Sequence, residues 1–153
     1  MNETEFDKKM KRIISLVSKA LDFKEIGGLN NNLAAALIFT GFAEFIAAEV
    51  LQLIEHYINL NLNESVVKIN NSIYDQQANL GGRIKQLKEY DFPHKDNLVG
   101  ALTIIKTERN KLFHQLILGA FSNKKIKNSS VLIRKATTDL YIAFNLISSS
   151  LIK

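Results

Sequence analysis

The chain has 153 residues, 46% of them hydrophobic and 23% charged, which are the proportions of a folded protein with an apolar core. It contains no cysteine, which excludes disulfide bonds and thiolate metal sites and is compatible with a reducing cytoplasm. A formal net charge of +5 suits an anionic partner such as RNA but does not establish one. The first residues are acidic and then basic without an apolar run, so we expect no secretory signal and a cytoplasmic location.

Two long helices are predicted in the first part of the chain. Apolar residues recur at helical spacing from Glu5 to about Leu21, and Thr4 is placed to cap this helix. After the break at Gly27-Gly28, a second helix is expected from about Asn32 to Ile58. This helix is apolar on most faces, so it should be covered on most faces, either by its own bundle or by a second copy of the chain.

The second helix is apolar enough to raise the question of a membrane span. A span would place the carboxylates of Glu44 and Glu49 inside the bilayer, at a cost of roughly 2.5–3.5 kcal/mol each. We therefore expect a buried helix and no membrane. Glu44 shares a stripe with Leu37 and Thr40, so it should be partly buried and should need a cation.

Shorter elements are predicted in the middle of the chain. We expect a helix from Ser65 to about Gln77, an interruption at Gly81-Gly82, and a short helix from Arg83 to Tyr90 that ends before Pro93. Asp96 is the expected cap of the following helix, which extends to Leu118.

The last part of the chain is predicted to be a loop and a final helix. Residues 123–128, NKKIKN, are expected to form a basic loop, with Ser129 or Ser130 capping the helix after it. No segment alternates between apolar and polar residues with a period of two, so we expect no sheet. The sequence thus predicts an all-α, up-and-down bundle of about five helices, with residues 1–153 as a single domain.

The helix from Asp96 to Leu118 has an unusual distribution of polar residues. Its apolar stripe consists of residues spaced by three and four: Leu98, Leu102, Ile105, Leu112 and Leu116. Arg109 stands in that stripe, where the repeat would place another Leu. Because Arg109 and Glu44 are both charged residues in apolar stripes, we expect them to pair.

A second row of this helix is polar and carries no acid: Thr103, Thr107, Asn110 and His114. Asn110 and His114 are four residues apart and therefore share a face. The other two histidines, His56 and His94, have no second ligand at metal-binding spacing and are expected at the surface, so the sequence predicts no metal site.

The segment RNKLFH, residues 109–114, has an Arg, four intervening residues and a His, with an Asn directly after the Arg. This pattern resembles the signature of the HEPN superfamily, whose members are small all-α domains and include many metal-independent endoribonucleases. The upstream segment LGGRIKQLKEYDF, residues 80–92, is similar to the lead-in of several HEPN branches and of the related mannitol operon repressor family. In architecture the resemblance covers Leu33 to Leu118.

The resemblance implies a chemistry that needs neither a metal nor a cofactor. His114 would act as general acid or base and Arg109 would hold the phosphate, while Asn110 would orient the phosphate or the imidazole. Lys111 is a further candidate contact to an RNA substrate. The ribose 2′-hydroxyl would be the nucleophile, and the product would carry a 2′,3′-cyclic phosphate.

The resemblance also implies a homodimer, because HEPN ribonucleases generally bring two such motifs face to face. On an ideal helix Arg109 and His114 point about 140° apart, so one protomer does not bring them together. Some HEPN toxins have a Tyr two residues after the His that a partner antitoxin modifies. This chain has Leu116 there, which argues against that form of control.

Three hypotheses stay open at this point. The first is a HEPN-type endoribonuclease, as a toxin or a defence component that an antitoxin controls. The second is a non-catalytic HEPN-like module that binds protein or RNA in a regulatory complex, as the mannitol repressor branch suggests. The third is a dimeric helical protein without a nucleic-acid role, in which Arg109 pairs with a core carboxylate and His114 is an ordinary exposed residue.

Overall fold

The computed structural model describes residues 5–62, 78–119 and 122–151, and these residues form helices and no strand. The helices are α1 (Glu5–Ile26), α2 (Leu29–Leu62), α3 (Leu80–Glu89), α4 (Lys95–Ile117) and α5 (Asn123–Leu151). The predicted all-α class is confirmed. The helix that we expected from Ser65 to Gln77 lies outside the described residues, as does Thr4, the expected first cap.

The central element is α2, which packs against each of the other four helices described. Its 34 residues include a series of buried alanines, whose small side chains let the neighbouring helices approach closely. The fully buried large side chains come chiefly from three helices: Phe39, Ile46 and Leu51 of α2, Leu98, Leu102 and Ile105 of α4, and Ile133, Leu140 and Ile147 of α5. This arrangement confirms that α2 is covered on most of its faces.

The helix α2 is also the one described segment that could cross a membrane by length and composition, from Leu29 to Asn61. More than half of its most apolar window is buried inside the bundle. A central helix of a folded core has the same composition, and the burial is compatible with a soluble protein.

The start of α5 differs from the prediction. The helix begins at Asn123, so NKKIKN forms its first turns, and Ser129 and Ser130 are buried positions inside it. The prediction of a loop and a serine cap there was wrong. The capping hydroxyl is supplied earlier, by Ser122, whose Oγ accepts a hydrogen bond from the backbone N–H of Lys125 at 3.3 Å.

The starts of α3 and α4 also differ from the prediction. Gly81 and Gly82 lie in the first turn of α3, because the side chain of Asn79 caps that helix by accepting a hydrogen bond from the N–H of Gly82 at 3.0 Å. The residue before α4 is His94, in the left-handed conformation with φ of 60°, and Asp96 lies inside the first turn. The prediction of Asp96 as the cap was therefore wrong. Its carboxylate in the first turn still interacts favourably with the positive end of the helix dipole.

The carboxyl group of Glu49 on α2 is expected to make the free energy of unfolding depend on pH. Burial raises the pKa of Glu49 above its ordinary value, against the opposing effect of the charge on Lys9. The folded state thus binds the Glu49 proton more tightly than the unfolded chain does. The stability that this proton contributes to the fold is therefore lost as the pH rises through the raised pKa. We expect Glu49→Gln to increase the free energy of unfolding, relative to the unmodified chain, more at about pH 7.5 than at about pH 4. Urea unfolding at both pH values tests this, and an equal difference at both would contradict it.

Candidate functional site

The second half of α4 carries the residues that the sequence singled out. Leu98, Ile105 and Leu112 of its predicted stripe are buried against the core, and Leu116 is half-buried. The stripe is thereby confirmed, with Glu108 as an additional buried member. Arg109 lies at the edge of the stripe on the side of α2 and is half-buried.

The guanidinium of Arg109 lies among apolar side chains. Its central carbon lies 5.4 Å from the ring centroid of Phe113, one turn further along α4. A small groove of about 110 Å³ surrounds it, lined by Arg109, Leu112, Phe113 and Leu116 of α4 and by Leu33, Ala36, Leu37 and Thr40 of α2. Within the described ranges Arg109 forms no ion pair, so its charge is available to an anion.

The expected ion pair between Arg109 and Glu44 is not formed. Glu44 lies one turn beyond Thr40, the last α2 residue in the groove around Arg109. The cation at Glu44 is Arg83 of α3, whose Nη1 donates a hydrogen bond to the backbone carbonyl of Glu44 at 2.7 Å. The two charged residues in apolar stripes are thus at different levels of the bundle.

Asn110 and His114 are exposed on the outward side of α4. At about 100° per residue, this side lies opposite the buried stripe, so within one protomer the imidazole and the Arg109 guanidinium diverge as predicted. Two apolar side chains lie between them on the helix surface: Phe113, which is 40% exposed, and Ile117, which is 79% exposed. The structure brings Asn110 and His114 to one face but leaves Arg109 on another.

The buried acid of this region is Glu108, whose relative exposure is 6%. Its Oε1 lies 2.6 Å from the Nζ of Lys111, and its Oε2 accepts a hydrogen bond from the hydroxyl of Ser129 on α5 at 2.8 Å. Both carboxylate oxygens therefore have a partner, as a buried charge requires. The ammonium group of Lys111, which we expect to contact substrate, is directed to Glu108 in the single chain.

Sequence reasoning missed Glu108, although a signal was present. Glu108 stands three residues after Ile105 and four before Leu112, which is the spacing of the buried stripe. Glu108 and Arg109 are adjacent and both lie near the stripe, so the sequence does not decide which of the two side chains is buried. In the structure Glu108 is buried, where it accepts the hydrogen bond from Ser129.

The hydrogen bond from Ser129 to Glu108 predicts a stability effect. Because Glu108 is buried and charged, Ser129→Ala is expected to lower the free energy of unfolding by about 1.5–3 kcal/mol. The control is Ser149→Ala, since this hydroxyl of the same helix bonds the carbonyl of Asn145 in an exposed position. Urea unfolding of both variants tests the prediction, and equal losses would contradict it.

The other two histidines lie at the surface. His56 is exposed near the end of α2, and His94 is exposed at the start of α4. No group of three or more His, Asp or Glu residues in the described part of the chain could hold a metal ion.

No protein-family model matches this chain, no curated protein is significantly similar to it, and no solved structure matches its fold.

Proposed function

We propose that this protein is a metal-independent endoribonuclease of HEPN type, whose active site is formed by two copies of the chain. Three observations support the proposal. The segment at residues 109–114 has the Arg-Asn-x3-His pattern, Asn110 and His114 are accessible on one face, and Arg109 has no counterion within the described residues. A fourth observation carries the proposal: the exposed apolar side chains of Phe113 and Ile117 lie between the cation and the imidazole on α4.

That apolar surface is the proposed dimer contact. Phe113 and Ile117 form a strip along α4, Leu37 of α2 is exposed in the lining of the groove of Arg109, and Leu118 follows the helix with 75% of its surface exposed. Contiguous apolar surface of this kind favours an interface between proteins. A two-fold axis roughly parallel to α4 would pack the strips of two copies against each other. In that arrangement Arg109 of each chain lies on the same side of the interface as His114 of the partner subunit.

The proposed reaction uses residues from both chains. Arg109 of one subunit holds the scissile phosphate through two of its N–H donors, and Asn110 of the partner subunit, on the face that carries His114, helps to position it. His114 of the partner subunit takes the proton from the ribose 2′-hydroxyl as the 2′-oxygen bonds to phosphorus. The bond to the 5′-oxygen breaks, this oxygen takes a proton from water, and a 2′,3′-cyclic phosphate remains. The Arg109 guanidinium stabilises the negative charge that builds up on the phosphorane.

The lysines at the start of α5 are placed to bind the RNA backbone. Lys124, Lys125 and Lys127 are exposed, and α5 begins at Asn123, six positions after the last residue of α4, Ile117. Because α4 and α5 are adjacent in the chain and pack together, these charges lie at the same end of the bundle as His114. We expect Lys→Gln at all three positions to weaken RNA binding and to reduce the slope of log K against log salt by about 2.

The measurement for this prediction is fluorescence anisotropy with a labelled single-stranded RNA at several salt concentrations. A matched control replaces three exposed lysines elsewhere on the bundle with glutamine: Lys19, Lys85 and Lys135. The control has the same net charge but should retain more of the affinity and of the salt slope. Equal losses in the two triple variants would show that binding follows net charge alone and would contradict a role for the α5 lysines.

A non-catalytic regulatory module is the second candidate, and one observation favours it. Arg109 lies on the Phe113 ring and Lys111 lies on Glu108, so two cations of the motif already have intramolecular contacts. In that case the apolar strip would bind a regulatory protein such as an antitoxin, and residues 109–114 would be part of a recognition surface.

Incubation of the purified protein with total RNA in EDTA separates the two candidates. Cleavage that yields a 2′,3′-cyclic phosphate end, and that is lost in His114→Ala, is the result expected of the ribonuclease. Salt-sensitive retention of intact RNA, or no interaction with RNA, would favour the regulatory module. Growth arrest on expression in cells, if it depends on Arg109, would assign the activity to a toxin.

A further inference from the structure

A groove lies between α1 and α5, on a side of the bundle distinct from the outward face of α4. Among the described helices α1 packs against α2 alone, so α1 and α5 stand apart with α2 as the floor between them. The groove has a volume of about 300 Å³ and is lined by Ile14, Val17 and Leu21 of α1, Phe39 and Phe42 of α2, and Arg134, Thr137, Thr138 and Tyr141 of α5.

The floor and one wall of this groove are apolar. Phe39 and Phe42 are buried at the floor, and the ring of Phe42 lies 6.4 Å from that of Tyr141 in a tilted arrangement. Ile14, at the rim on α1, is 50% exposed. The volume falls at the lower end of the range of about 300–1,000 Å³ that small-molecule sites occupy, and an aromatic floor is typical of such sites.

The polar groups that line the groove indicate which kind of ligand it favours. Arg134 is the one charged side chain among the lining residues, and it forms no ion pair within the described ranges. The hydroxyl of Thr137 donates to the carbonyl of Ile133 at 2.8 Å, and that of Thr138 donates to the carbonyl of Arg134 at 3.3 Å. The threonine donors are thus occupied, which leaves the guanidinium of Arg134 and the phenolic hydroxyl of Tyr141 as donors toward the groove and favours a ligand that accepts hydrogen bonds.

We propose that this groove binds an amphipathic monoanion, an aliphatic chain with a terminal carboxylate of the medium-chain fatty-acid class. The aliphatic chain packs on Phe39, Phe42 and Val17, and the carboxylate pairs with Arg134 at the rim. Among the described lining residues Arg134 is the one cation, which matches a singly charged head group, and its fork of donors matches the geometry of a carboxylate. This inference does not depend on the ribonuclease proposal, since it uses none of the α4 site residues.

Isothermal titration calorimetry with sodium decanoate, below its micelle concentration, tests the proposal on the full chain. We expect saturable binding to the unmodified protein and an affinity about tenfold or more lower in Arg134→Gln, because a charge-assisted hydrogen bond is lost. Ile14→Glu should also weaken binding, since it adds a negative charge to the rim at a half-exposed position where the fold tolerates it. Lys135→Gln, which removes the neighbouring exposed cation outside the groove, should leave the affinity unchanged.

Two comparisons make the result decisive. Decanol, which has the same chain without the charge, should bind the unmodified protein and Arg134→Gln equally. Absence of decanoate binding, or equal binding to the unmodified protein and Arg134→Gln, would overturn the proposal. Light scattering that shows a dimer of the unmodified protein and a monomer of Ile14→Glu would assign the groove to an interface between copies and would also overturn it.

Discussion

Replacing His114 with alanine is expected to lower metal-independent RNA cleavage by about 10²–10⁴-fold, the range that a general acid or base contributes. The imidazole is exposed on the outward face of α4 and carries none of the core packing, so the variant should fold as the unmodified chain does. The measurement is the rate of cleavage of a defined RNA in EDTA, together with a thermal unfolding curve to verify the fold.

The matched control for that variant is His56→Ala, because His56 is also an exposed histidine on a long helix but lies outside the motif. It should cleave RNA at the rate of the unmodified protein. A His114→Ala variant that is folded and cleaves RNA at an unchanged rate would contradict the proposed role of the imidazole. Equal losses in both variants would point to a general effect of histidine removal and would also contradict that role.

Replacing Ile117 with aspartate is expected to convert a dimer into a monomer at micromolar concentration and to abolish cleavage with it. Ile117 is 79% exposed in the single chain, so a charge there costs the folded protomer little. In the proposed dimer the same carboxylate would be buried against apolar side chains without a partner, which is strongly unfavourable. Size-exclusion chromatography with light scattering gives the mass, and the RNA assay is run on the same sample.

The control for this variant is Ile142→Asp, which places the same charge at an exposed apolar position on α5. It should remain dimeric and active. An unmodified protein that is monomeric at micromolar concentration, or an Ile117→Asp variant that stays dimeric, would contradict the proposed contact through the α4 strip.

The features that depend on local periodicity were predicted well. The apolar stripe of α4 with Leu98, Ile105 and Leu112 is buried as its spacing predicted, and Asn110 and His114 share a face because residues four apart always do on a helix. The absence of alternating segments predicted an all-α fold, and the described residues contain no strand. These predictions succeed because they depend on the geometry of a single helix.

The features that depend on competition between nearby candidates were predicted less well. Ser129 has the residue type of a helix cap, but Ser122 provides that cap, and the Ser129 hydroxyl is used by a buried acid. Arg109 was expected to pair with Glu44, but Arg83 from α3 reaches Glu44 at its backbone carbonyl. The pairing of cations with acids depends on the positions along their axes at which two helices pack together. The periodicity of a single helix carries no information about those positions.

The central claim is that each active site takes Arg109 from one chain and His114 from the other, and mixing two inactive variants tests it most directly. Arg109→Ala and His114→Ala should each be inactive alone, while their mixture, after subunit exchange, should recover about a quarter of the unmodified activity. Half of the randomly paired dimers are mixed, and each of these contains one complete site out of two. A mixture that stays as inactive as its separate components would contradict an active site shared between chains.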